Sequence, residues 1–111
     1  MRCATARESA QGPFWLLELA GEADLTCRHL KDALDAGIDA GLPLLVVDMA
    51  RLTFIDSWAL HVILAAGREL RDAGRTLALA SPTGQVRRIL QLTGADTLAP
   101  VYASVQEATA R

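Results

Sequence analysis

Apolar residues along this chain fall into two kinds of pattern that alternate from one end to the other. Phe14-Trp15-Leu16-Leu17-Glu18-Leu19 is a short apolar and aromatic run opened by Gly12-Pro13 and followed by Gly21, which predicts a strand. Leu44-Leu45-Val46-Val47 is continuous rather than alternating, the pattern of a central strand covered on both faces. Thr76 to Ala80 repeats it after the turn Ala73-Gly74. Leu98 to Tyr102 is a weaker candidate, interrupted by Pro100 and so assigned to a sheet edge.

Between these runs the period becomes helical. Cys27, Leu30, Leu34, Ile38 and Gly41 lie at spacings of three and four, with Thr26 placed to cap the start. Leu60, Ile63, Leu64 and Gly67 form a second stripe, and Arg68, Glu69, Arg71 and Asp72 give it a polar end before Gly74. Ser81-Pro82 reads as N-cap and first helical residue of a third helix, with Val86, Ile89 and Leu90 as its buried face and Gly94 as its terminator. Ser104 to Ala110 fits a short closing helix.

Strands alternating with helices imply parallel pairing through right-handed crossovers, hence an α/β fold with helices packed on a sheet. The Phe14 run and the segment Ala20 to Leu25 are expected to pair antiparallel with Gly21 at the bend, making a mixed, mostly parallel sheet of four to five strands. No linker, repeat or low-complexity segment divides the 111 residues, so one domain spanning 1–111 is expected, with residues 1–11 loosely ordered.

Composition narrows the function classes. Half of the residues, 51%, are hydrophobic and 22% are charged, which excludes a disordered regulator. A formal charge of -2 argues against nucleic acid or an anionic membrane as the main partner. The longest dense apolar stretch, Leu42 to Val47, is far short of a membrane span, and residues 1–10 lack the apolar core of a signal peptide. Cys3 and Cys27 allow one bridge at most, so no secreted disulfide framework is expected and a reducing cytoplasm is the default.

The informative stretch is Leu44 to Leu64. A buried strand is expected to end at Asp48, a loop of six to eight residues to follow, and a helix to begin at or just after Ser57. In open α/β sheets the crevice beyond the carboxyl ends of the strands is where ligands and partners meet the fold, and Asp56 and Ser57 belong at that end. Ser57 has a plain structural use as an N-cap, worth about 1 kcal/mol. It has a second use. A phosphate there would meet the positive end of the helix, and beside Asp56 it would create a concentrated negative patch that repels a partner without unfolding the chain.

Val46 to Leu60, VVDMARLTFIDSWAL, resembles the signature of the STAS domain family of bacterial anti-sigma factor antagonists, in which a hydrophobic strand leads to Asp and then Ser-Ser-Gly-Leu. Leu19 to Asp24 is similar to the family's L-x-G-E-L-D turn, and Arg87-Arg88-Ile89-Leu90 through Thr93-Gly94 to its late helix; the three segments keep family order over nearly the whole chain. The resemblance implies a cytoplasmic partner-switching protein bound by an anti-sigma factor of the histidine-kinase-like ATPase type. That kinase would phosphorylate Ser57 and so release the chain, and a phosphatase would reset it. It also implies a partner-binding face of Asp24, Asp56, Ser57, Trp58 and Ala59. The family's second serine and its glycine are here Trp58 and Ala59, which reshape that face: Trp58 either packs back on the Phe54 segment or stands out as an aromatic anchor. The alternative within the fold is a STAS interaction subunit that binds without phosphorylation, in a scaffold or transporter complex.

Other chemistry finds less support. Ser57 and His61 at i and i+4 could suggest a nucleophile and base, but there is no Gly-x-Ser-x-Gly elbow and no third orienting group, so no enzyme activity is expected. His29 and Cys27 lack metal-ligand spacing, and no metal or cofactor is implied. No G-x-x-x-x-G-K-[ST] loop is present and the one lysine, Lys31, is mid-helix, so ATP would come with the partner. Arg68, Arg71 and Arg75, and Arg87-Arg88, read as solvated faces. The sheet edge near Pro13 and Phe14 could pair with a second copy to give a homodimer.

Overall fold

A computed structural model of the protein describes residues 5–110. Its elements are β1 (Thr5–Gln11), β2 (Phe14–Ala23), α1 (Arg28–Asp39), β3 (Leu44–Ile55), α2 (Ser57–Asp72), β4 (Thr76–Ala80), α3 (Gly84–Thr93), a 3-10 turn (Ala95–Thr97), β5 (Val101–Tyr102) and α4 (Val105–Thr109). The strands lie in the order β1-β2-β3-β4-β5, with β1 antiparallel to β2 and every later pair parallel. The α/β fold with a mixed, mostly parallel sheet expected from the sequence is therefore present.

Strand order equal to chain order has a consequence. Each right-handed crossover steps the same way across the sheet, which puts α1, α2 and α3 on one face. Leu17, Leu19, Leu45, Val47, Leu77 and Leu79 belong to the large core cluster on that side, together with Leu30, Leu34, Ile63, Leu70, Val86 and Leu90 of the helices. The alternate residues Val46, Ala78 and Ala80 form a second cluster with Ala108 and Val105 of α4, with Phe14, Leu16, Leu44 and Tyr102 around them. Burial on both faces is why β3 and β4 read as unbroken apolar runs. Helix α1 comes close at Gly37, where an added Cβ would lie 2.9 Å from Leu45 Cδ1 and 3.1 Å from Trp15 Cδ1.

Several boundaries differ from expectation. The antiparallel partner of the Phe14 run is β1, where a loose segment was expected; Ala20 to Ala23 instead continue β2 as a single strand through Gly21 (φ 90°). The polar sequence of β1 hides a strand because an edge strand has a solvated side. With β1 in place, the edge at Phe14 is covered, and the basis for pairing a second copy there is lost. The stretch after Asp48 is not a loop: β3 runs on to Ile55, pairing with β2 through two register shifts. Its pairing with β4 stops at Asp48↔Ala80, and α3 packs against it. Helix α3 begins at Gly84 after Thr83, not at Ser81-Pro82, because Ser81 takes a left-handed backbone (φ 60°) that cannot precede a helix as an N-cap. Gly94 ends that helix at φ 76°, as the sequence suggested. Cys27, at the start of α1, is buried and disulfide-bonded, a departure from the reduced state expected; Cys3 lies outside the described residues.

Of the basic groups, Arg75 is structural rather than solvated. Its Nε donates to the Leu42 carbonyl and Nη2 to the Ile38 carbonyl, both at 2.8 Å, tying the end of α1 to the start of β4. Replacing Arg75 by Met keeps much of the stem and removes both bonds, and urea unfolding should show a loss of about 2 kcal/mol, the scale of hydrogen bonds from a charged donor. An unchanged midpoint would mean that the two carbonyls are as well served by water.

Candidate functional site

Parallel pairing of β2 and β3 is kept to their last residues: Glu22 lies opposite Phe54 and Ala23 opposite Ile55. Asp56 N then donates to the Ala23 carbonyl at 2.9 Å, and Thr53 Oγ1 to the Gly21 carbonyl at 3.1 Å. Two strands that end level deliver their following loops side by side. The turn from Asp24 to Cys27 therefore stands next to Asp56 and Ser57, although 31 residues separate Leu25 from Asp56 in sequence.

Asp56 is the N-cap of α2 and Ser57 its first helical residue. The cap expected of Ser57 is thus made by its neighbour, whose extended backbone (φ -96°, ψ 176°) lets Oδ1 accept from Ala59 N at 2.8 Å. The second carboxylate oxygen, Oδ2, accepts from Leu25 N at 3.0 Å. Asp56 is half-buried, and Ser57 is exposed beside it.

Asp24 is 5% exposed and shapes the adjoining turn. Its Oδ1 accepts from Thr26 N at 2.9 Å and from the Thr26 hydroxyl, and its carbonyl accepts from Cys27 N at 2.9 Å. Thr26 is thereby used inside the turn, and the residue before α1 is Cys27, which makes no side-chain cap. Among the described residues, Asp24 Oδ2 is a buried side-chain oxygen without a hydrogen-bond partner.

The five residues expected at a partner face are together, but they are not equally accessible. Ser57 is open to solvent, Asp56 and Trp58 are half-buried, and Asp24 and Ala59 are inside. Trp58 packs against the main core cluster, which favours its packing use over a free-standing anchor. Ala59 is fully buried because the helix stripe turns inward there. The structure adds Leu25, 66% exposed between Asp24 and Thr26, an apolar side chain that the turn holds outward. A leucine following an acidic turn residue was the signal for it, and periodicity could not say which way it pointed.

Elsewhere the polar groups are separate. His61 is exposed on α2 and lines shallow grooves, one with Lys31, Asp35 and Glu69 and another with Leu64, Arg68, Arg71 and Leu98. Both Asp56 oxygens are taken by backbone amides, so no Ser57-His61-Asp56 relay is assembled. Lys31 forms an exposed ion pair with Asp35 at 3.0 Å, and that hydrogen bond raises its pKa above the usual lysine value. Among the described residues no group of three His, Cys, Asp or Glu is placed to hold a metal, and no helix is long and apolar enough to cross a membrane.

A family model described as the STAS domain matches residues 11–108. A protein of Bordetella bronchiseptica named "Putative anti-sigma factor antagonist BtrV" is 32% identical over 83 residues, covering 75% of this chain and 72% of that one. The crystal structure of an anti-sigma factor antagonist from Mycobacterium paratuberculosis superposes with a TM-score of 0.86 at 25% identity, over 95% of this chain and 90% of that one. The unphosphorylated form of the anti-sigma factor antagonist SpoIIAA shares the fold, with a TM-score of 0.79 at 21% identity over 94% and 92% of the two chains.

The capping assignment is testable by stability alone. Asp56→Ala should lower the urea-unfolding free energy by about 2 kcal/mol, losing a cap and a second backbone bond, while Ser57→Ala should stay within about 0.5 kcal/mol of the parent. The opposite ranking would return the cap to Ser57.

Proposed function

Because the chain belongs to the STAS domain family, with the family model covering residues 11–108, we propose that it is an anti-sigma factor antagonist whose binding is switched at Ser57. The observation that carries this reading is the position of Ser57: exposed, first in α2, and outside the capping bond that Asp56 makes. A hydroxyl so placed can be modified without disturbing the core. The likeness to BtrV and to the Mycobacterium paratuberculosis antagonist supports the regulatory class, in which the chain is a binding partner and a substrate for modification rather than an enzyme.

In this reading the partner is an anti-sigma factor of the histidine-kinase-like ATPase type, docking on Ser57, Leu25 and the exposed part of Trp58, with Asp24, Asp56 and Ala59 shaping the surface from beneath. The kinase brings ATP. Its γ-phosphoryl group passes to Ser57 Oγ: the bond to the β-phosphate bridge breaks, an Oγ–P bond forms, ADP leaves and the hydroxyl proton goes to a base on the kinase. The modified side chain carries nearly two negative charges next to Asp56, against a surface evolved around a neutral hydroxyl, and the complex separates. A phosphatase restores the hydroxyl. The compartment that suits this cycle is the cytoplasm, which supplies the ATP that the kinase consumes.

A second reading, a STAS interaction subunit that binds without phosphorylation in a scaffold or transporter complex, draws support from Trp58 and Ala59, which replace the serine and glycine of the motif that the segment resembles and are turned into the core. The two readings separate by experiment. Incubation with ATP and the ATPase-type kinase encoded nearest this gene should add one phosphate, seen by intact mass and mapped to Ser57. Ser57→Ala should still bind that kinase and Ser57→Asp should not. Equal binding by the parent and both variants would support the scaffold reading.

A further inference from the structure

Asp56 was expected to belong to the docking face, yet all its polar groups are engaged within the chain. Its N–H donates to the Ala23 carbonyl and its carbonyl accepts from Leu60 N. Oδ1 holds Ala59 N at 2.8 Å and Oδ2 holds Leu25 N at 3.0 Å. One carboxylate thus fastens the first turn of α2 to the turn that carries Leu25, the most exposed large apolar side chain near Ser57. We propose that Asp56 is the positioning residue of the switch: a phosphate on Ser57 displaces its carboxylate, freeing the Leu25 amide, so that modification is read on the neighbouring turn as well as at Ser57. This rests on the phosphorylation reading above and deepens it.

The physical argument is competition for one positive helix end. The amides of the first turn of α2 attract anions, and the Asp56 carboxylate occupies one of them. A phosphate on the adjacent residue brings a larger negative charge and three strong acceptor oxygens to the same amides, and it repels the carboxylate directly. When the carboxylate turns away it takes both bonds with it, because Oδ1 and Oδ2 are parts of one rigid group. The Asp24 carboxylate and carbonyl still hold Thr26 N and Cys27 N, so the turn persists and only the Leu25 position loosens. An apolar anchor presented on a fixed backbone binds with little loss of freedom, and releasing that backbone weakens docking beyond the effect of charge alone.

The test uses the full chain, labelled with 15N, in two forms: with Ser57, and with phosphoserine at position 57 installed by genetic encoding, so that no kinase or partner is needed. Amide hydrogen exchange and chemical shift are followed at Leu25 and at Cys27, whose acceptor is the Asp24 carbonyl and which serves as internal control. In the phosphorylated form the Leu25 amide should exchange about tenfold faster or more, the scale of losing a bond to a charged acceptor, with Cys27 unchanged. Asp56→Asn, which leaves one acceptor oxygen for two amides, should quicken Leu25 in the unmodified form, and phosphorylation should add little to it. An unchanged Leu25 amide in the phosphorylated form overturns the proposal, as does equal quickening at Leu25 and Cys27, which would report fraying of the whole turn. If Asp56→Asn does not fold, the comparison of the phosphorylated and unmodified parent decides alone. Loss of the kinase-dependent switch would leave this result standing, and failure here would leave the switch standing.

Discussion

Everything at the candidate site depends on two strands of different origin ending level. The β2–β3 pairing carries Ala23 to Ile55 through two register shifts, and without those shifts the loop after β2 and the loop after β3 would emerge at different heights. Backbone hydrogen bonding along the sheet is thus converted into proximity between residues far apart in sequence. The Asp24 turn and the start of α2 are then joined by side chains only at the last step, through a single carboxylate. A sheet whose central strands are buried on both faces is a rigid base for this, since slipping β3 by one residue would turn Val47 and Met49 out of the core.

How much of this the sequence reveals follows from which physical signal each element depends on. The first three helices and the strands at Phe14, Leu44 and Thr76 were legible because burial imposes a period, and those helices lie along the stripes that the period marked, although α3 starts later than its cap signal suggested. β1 was missed because an edge strand needs no apolar run, and the antiparallel partner of the Phe14 run was assigned instead to Ala20 to Leu25, of which Ala20 to Ala23 in fact prolong β2. The length of β3 was missed because Asp48 and Arg51 interrupt the apolar pattern, although Met49, Leu52 and Ile55 still point inward.

The site was legible as a place but not as a set of roles. Motif spacing and the rule for carboxyl ends of strands brought Asp24, Asp56 and Ser57 to one location. Neither could distinguish a cap from the residue after it, and Asp and Ser are nearly equal as caps, so the division of labour between Asp56 and Ser57 emerges only from backbone angles. Leu25 shows the same limit, for an isolated leucine in a polar turn carries no periodicity, and its outward direction is set by its own amide's bond to Asp56 and by the bond from Thr26 N to Asp24 across it.

The unequal lengths of β3 and β4 bear on how the chain behaves in a crowded solution. Among the described residues one side of β3 has no strand beside it beyond Asp48, although Asp48 Oδ1 accepts from Ala50 N there, and an open strand side is the natural seed for intermolecular β-aggregation. Helix α3 packs against β3 with Val86 and Leu90 buried, so its anchoring bears on colloidal as well as conformational integrity. A strand side left without a neighbour ties a chain's resistance to clumping to whatever packs beside it.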